Sequence, residues 1–380
     1  MIPKLELISI YSAIDRNVFS AILIIGIIQA WLVNVLKVGI PILTIFILVH
    51  IVLRLAISRL TALKYFISRQ ALFFVFLFVM LLIYGTLISL ESIKDLLYLL
   101  NVPIVIFWVD LIPKKIDNNL NLFFRFFLVY CLISFVIYFL YWDELANIIY
   151  KNSTGHLWGL KTSGIPRSFG LILNPLSNAY IILIGTCLYL YIKGKTGVTF
   201  FVFMLALALC LVRLSMITML LSLLIYFIFQ KKYLLLFIFS IIFIFLAISI
   251  EEVRTILVSI LTLSDSKGSI QLHVEHFFYG INSLIEYPWG RGITDEHIES
   301  WAFRYALNFG ILGMTVYLIW LLGTMLVFVL NKKIYEFLLL MTFVPIFVGI
   351  PFHSFNVPLI LFFLFLRILN DSGSFNLKAK

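Results

Sequence analysis

Apolar segments close to the length of a bilayer span, roughly 20 residues, recur along the chain from Val18 to Leu369. This recurrence restricts the fold more than any motif does. Lipid offers the backbone no hydrogen-bond partner, so each span must pair its own amides and carbonyls as a helix. The chain therefore reads as an all-α, polytopic integral membrane protein. Composition agrees, with 63% hydrophobic and 12% charged residues against soluble averages of roughly 45–50% and 25%. The first segment, 18–36, follows a mixed-charge start (Lys4, Glu6, Asp15, Arg16) and lacks a small-residue cleavage pattern, so it reads as a signal anchor.

The hydropathy pattern places spans at 18–36, 39–53, 71–90, 96–112, 122–141, 173–192, 197–211, 214–229, 233–250, 302–330, 335–350 and 355–369. These form one transmembrane domain over 1–380. Basic residues set the orientation. With both termini on the cytoplasmic side, that side receives 18 of the 28 Lys and Arg with 6 of the 18 acidic residues, leaving 10 basic and 12 acidic outside. Topology thus accounts for the net charge of +10, and the charge gives no reason to expect a nucleic-acid partner. Two long polar stretches, 142–172 and 251–301, then fall on the outer face.

Cys131, Cys187 and Cys210 lie inside the expected spans, where a thiol packs as a small apolar group. The sequence has no CxxC, no phosphate-binding GxxxxGK and no GxGxxG. Asn152-Ser153-Thr154 matches a glycosylation sequon, a three-residue pattern that arises often by chance.

In the first polar stretch Arg167 stands between Pro166 and Ser168, just ahead of Gly170 and Asn174-Pro175. A guanidinium at a membrane boundary can hold phosphate through paired, charge-assisted hydrogen bonds, or it can serve as an interfacial anchor. Arg213 interrupts a long apolar run. A charge at mid-bilayer costs roughly 2.5–3.5 kcal/mol, so either two short helices meet at a turn carrying Arg213, or Arg213 faces a polar cavity. Loop-charge alternation favours two helices. A structural ion pair is the bland alternative for Arg213.

The second polar stretch carries His273, His276 and His297 with Arg291, Asp295, Glu296 and Glu299. From His273 to Ile285 the apolar residues recur at helical spacing, which predicts a surface helix along the membrane. Pro288, Gly290 and Gly292 predict a turn after it. His273 and His276 are one helical turn apart, but no recognised metal spacing is present and no metal site is expected. Glu299 and Ser300 precede the next span, where a carboxylate is stabilised by the helix dipole. Capping alone would explain Glu299, and His353 near Pro351 either joins the site or, the favoured reading, caps a helix. The loop aromatics Trp142, Tyr150, Trp158, Tyr279, Tyr287, Trp289 and Trp301 suit sugar rings, yet such residues also populate membrane interfaces.

Taken in order, PRSFGLILNPLSNAYI, LVRLSMITMLLSLL, HVEHFFYGINSLIEYPWGRGI and ESWAFRYALNFGILG resemble the O-antigen polymerase (Wzy) family within the O-antigen ligase and polymerase superfamily. The resemblance runs from about Ser163 to Gly313. Two departures stand out: Val-Arg-Leu-Ser where the family has Ser-Arg, and His rather than Arg opening the loop helix.

The resemblance implies about twelve transmembrane helices with a GT-C-like glycosyltransferase architecture, in the bacterial inner membrane with both polar stretches periplasmic. It implies transfer of a glycan from an undecaprenyl-pyrophosphate carrier to a sugar hydroxyl on another lipid-linked unit. The departing pyrophosphate needs cations, and Arg167, Arg213 and Arg291, with Ser300, are the expected binding residues. The weak hydroxyl nucleophile needs a base, for which Glu299 and His273 are the candidates. No cofactor is expected. The implied partners are the lipid-linked donor and acceptor, membrane lipids and a chain-length regulator protein. Two other functions compete. A ligase would pass the glycan to lipid A core. A lipid-linked oligosaccharide flippase would keep its outer loops short and show interrupted inverted repeats, which are not evident here.

Overall fold

The computed structural model describes residues 13–37, 41–61, 68–112, 119–152, 161–162, 165–235, 237–238, 241, 269–294, 301–349 and 356–371. The helices are α1 (Val18–Asn34), α2 (Ile42–Thr61), α3 (Arg69–Ile88), α4 (Ile93–Leu111), α5 (Leu120–Leu140), α6 (Trp142–Asn152) and α7 (Pro175–Lys193). They continue with α8 (Val198–Leu209), α9 (Arg213–Phe229), α10 (Ser269–Glu286), α11 (Trp301–Leu330), α12 (Ile334–Gly349) and α13 (Asn356–Asp371). A two-residue antiparallel ladder, β1 (Lys161–Thr162) with β2 (Ile165–Pro166), lies between α6 and α7. Among the described residues four helices are long and apolar enough to cross a membrane: Arg69–Ile88, Leu120–Leu140, Pro175–Lys193 and Ala302–Leu330.

The sequence-based reading changes within 142–172 and at Gly310. Residues 142–172 read as a loop in the sequence, but they contain the helix α6. Its apolar Trp142, Leu145, Ala146 and Ile149 share one face, and Asp143 and Glu144 sit favourably in its first turn. The expected span 302–330 bends at Gly310, whose φ of 61° and ψ of −146° break the helix. At Arg213 the two helices expected from the alternation of basic loops are present, α8 and α9, with Leu211 in the left-handed region between them.

The described chain divides into two compact units. The first holds α1, α2, α5 to α8, α13, α3 as far as Leu82 and α4 from Leu96. Its central helix is α7, which is buried nearly all round. Asn174 caps α7 by accepting from the Ser177 amide at 2.9 Å, Pro175 supplies its first turn, and Gly194 ends it at a φ of 59°. Gly185 admits the ring of Phe127 from α5 against the helix backbone.

The apolar helices suggest a membrane protein, in which close packing and polar pairs carry more of the load than apolar contact. The first unit has such pairs. Arg54 on α2 bonds Asp15, and His50 Nε2 lies 3.2 Å from the same carboxylate while its Nδ1 accepts from Trp108 Nε1 at 2.8 Å. Arg367 on α13 reaches Asp110 on α4 at 3.0 Å.

The second unit holds residues 83–95 and α9 to α12. Here α12 packs against both α9 and α11, and α10 packs against α11. Ser222 and Thr342 share a hydrogen bond of 2.9 Å between α9 and α12.

Candidate functional site

In the first unit, Arg167 lies on the turn that leads into α7. The end of α8 provides the surface this turn needs. A helix leaves its last carbonyls without internal partners, and the Leu209 and Cys210 carbonyls are two such acceptors. The Ser168 amide donates to Leu209 O at 2.8 Å, and Arg167 Nε donates to Cys210 O at 3.1 Å. A guanidinium also suits the negative end of the α8 dipole. Trp142 Nε1 in turn donates to the Arg167 carbonyl at 2.9 Å.

Beneath this turn sits Asn178, fully buried on α7. Its Oδ1 accepts from Tyr130 Oη at 2.5 Å, and its Nδ2 donates to the Ser168 carbonyl at 3.2 Å and reaches Cys210 Sγ at 3.3 Å. One amide thus joins α5, the Arg167 turn, α7 and the end of α8. Gly170, at a φ of 55°, leaves room for it, since a Cβ there would collide with Asn178 Oδ1.

The second unit sets Arg291 on a turn by the same logic. Because α11 breaks at Gly310, its Leu307 and Asn308 carbonyls lose their helical donors. Arg291 N donates to Leu307 O at 2.9 Å and Gly292 N to Asn308 O at 3.0 Å, while Ile311 N crosses back to Pro288 O at 2.9 Å. Gly290 and Gly292 have φ of 83° and 86°, and a Cβ on either would come within 2.5 Å of backbone atoms of Asn308 or Ser89. The turn is also held from its other side. Ile293 N donates to Ser89 O and Glu91 N to Ile293 O, both at 2.8 Å, and Tyr84 Oη donates to Trp289 O at 2.8 Å. The Arg291 guanidinium lies 4.9 Å over the Tyr287 ring, with Nη1 3.5 Å from Tyr279 Oη.

No family model, curated protein or solved structure matches this chain.

Arg213, also in the second unit, is the first residue of α9. A helix N-terminus disfavours a cation and favours an anion beside it. His273 lies within α10, but its side chain falls outside the described residues, as does that of His276. Glu299, Ser300, Asp295, Glu296, His297 and His353 also lie outside them. Among the described residues no three His, Cys, Asp or Glu side chains form a cluster that could hold a metal ion.

Asn178 and Gly310 are not legible as site residues in the sequence. Asn178 has a faint signal, an amide one helical turn past Asn174 in a largely apolar helix.

Proposed function

We propose that the chain is an O-antigen or related polysaccharide polymerase of the bacterial inner membrane. It joins undecaprenyl-pyrophosphate-linked repeat units by glycosyl transfer at the periplasmic face. In this reading about twelve helices cross the membrane in a GT-C-like arrangement with both termini cytoplasmic.

One observation carries the reading: Arg167 and Arg291 both stand on turns whose amides fill the orphaned carbonyls of an interrupted helix. Cations held on such turns are preorganised for an anion, and stabilisation of developing charge is strongest when no group must move to provide it. The leaving group in this chemistry is a pyrophosphate. Arg167, Arg213 and Arg291, with Ser300, bind it and stabilise its departure, and Glu299 or His273 takes the proton from the attacking sugar hydroxyl. The protein's own cations then serve where other glycosyltransferases use a metal, and no cofactor is invoked. A chain-length regulator protein is the natural partner of such an enzyme.

The test is genetic and chemical. Cells carrying Arg167→Ala or Arg213→Ala should show lipid A core bearing at most one repeat unit, with normal amounts of the protein in the membrane. Long chains in both mutants would remove those residues from the mechanism. Loss of all glycan from the core, single units included, would mark a ligase instead.

A further inference from the structure

We propose that Arg304 is a positioning residue for the turn that carries Arg291. The proposal rests on the polymerase reading for its kinetic consequence but not for its structural one. Arg304 lies in the first turns of α11 and is 2% exposed. Its Nη2 donates to the Thr294 carbonyl at 2.6 Å and stands 3.2 Å from Asp95 Oδ1. A single guanidinium nitrogen thus ties three separate pieces of the second unit: α11, the strand-like end of the glycine turn, and the start of α4.

Asp95 suits its place, since a carboxylate in the first turn of α4 is stabilised by that helix's dipole. Thr294 is three residues beyond Arg291, and its side chain, 1% exposed, sits 3.5 Å from Asn308 Oδ1. The bonds from Arg291 and Gly292 to α11 fix one edge of the turn, and the bonds from Ser89 and Glu91 fix the other. Arg304 locks the end at which these two sets meet.

Energetics argue for geometry over stability as the reason for this pair. Removing one partner of a buried ion pair is costly, yet replacing both by apolar side chains is often neutral or stabilising. A pair that served stability alone would be dispensable as a pair. A pair that aims Arg291 would not, because a misplacement of about 1 Å at a reacting centre can cost about 10²-fold in rate.

The full-length protein in detergent or nanodiscs separates the cases. Arg304→Met, Arg304→Lys and the double variant Asp95→Leu with Arg304→Met are compared with wild type. Three readouts are taken: thermal unfolding, hydrogen exchange in the 287–294 peptide, and extension of purified lipid-pyrophosphate repeat units. The expected result is faster exchange in Arg304→Met and in the double variant, with stability recovered in the double variant alone. Turnover should fall about 10²-fold in both with KM little changed, and Arg304→Lys should restore part of it. Wild-type turnover in the double variant, or unchanged exchange in Arg304→Met, overturns the proposal. If wild type extends nothing, the polymerase reading fails, and the exchange data still decide whether Arg304 holds the turn.

Discussion

The Arg291 amide donates to the Leu307 carbonyl at 2.9 Å, an acceptor made available only because α11 breaks at Gly310. Ser168 does the same for Leu209 at the end of α8, at 2.8 Å. In both units, then, an arginine-bearing turn is held by helix carbonyls that would otherwise lack donors. The interruption of the helix and the placing of the arginine are one structural event.

Gly310→Ala should therefore do more than stiffen a helix. A backbone at φ 61° and ψ −146° is essentially a glycine conformation and costs a residue with a Cβ about 1–3 kcal/mol, and the added Cβ would collide with the Pro288 carbonyl. Thermal unfolding of the purified protein should show a loss beyond that figure, with faster exchange at the Arg291 and Gly292 amides. Gly197→Ala is the control: a Cβ there meets nothing within 4 Å, and the change should stay within about 0.5 kcal/mol. Equal effects from the two substitutions would remove the special status of Gly310.

The helices are legible in the sequence because apolar run length and helical period survive without tertiary information, and the split at Arg213 is legible because the alternation of basic loops asks for two helices there. The turn at Pro288, Gly290 and Gly292 is legible from local chemistry. The kink is not. Gly310 sits in a long apolar run where a glycine reads as a tolerated helix residue, and its left-handed backbone is imposed by the docking of a turn some twenty residues earlier. The pairing of Arg304 with Asp95 is also hidden, since nothing local to either residue names the other. The helix α6 is a miss of a different kind, for its apolar spacing and acidic first turn are present in WDELANIIYKN.

Asn178→Leu should loosen the Arg167 turn. The substitution keeps the volume roughly constant but leaves the Tyr130 hydroxyl and the Ser168 carbonyl without this partner, and each buried polar group orphaned in this way costs about 1–3 kcal/mol. Thermal stability and polymer length should both fall. Cys210→Ala, which removes a weak sulfur contact, should be much milder. An Asn178→Leu variant as stable as wild type would show that the Asn178 bonds do not hold the turn.

Tyr287→Phe and Tyr287→Ala distinguish the ring from the hydroxyl. The guanidinium of Arg291 lies over the ring face, an interaction worth about 0.5–2 kcal/mol. Phenylalanine keeps that face, so extension of lipid-linked repeat units should stay near wild type. Alanine removes it, and the rate should fall by about 2- to 30-fold. Similar rates in the two variants would place the Arg291 head group under other control.

Arg167→Lys tests whether charge alone is enough at the first turn. Lysine keeps the positive charge but has no Nε–H to give to Cys210 O, and its ammonium cannot present the planar pair of donors that matches a phosphate edge. If Arg167 only balanced lipid headgroups as an interfacial anchor, lysine would replace it without loss, because snorkelling needs only a long stem and a charge. If Arg167 is held by the α8 carbonyl so that its guanidinium meets a pyrophosphate, lysine should fail almost as fully as alanine. Lipopolysaccharide ladders from cells expressing each variant at matched levels decide between these. Short products from both variants support the phosphate role, and a full-length ladder from the lysine variant assigns Arg167 to the interface.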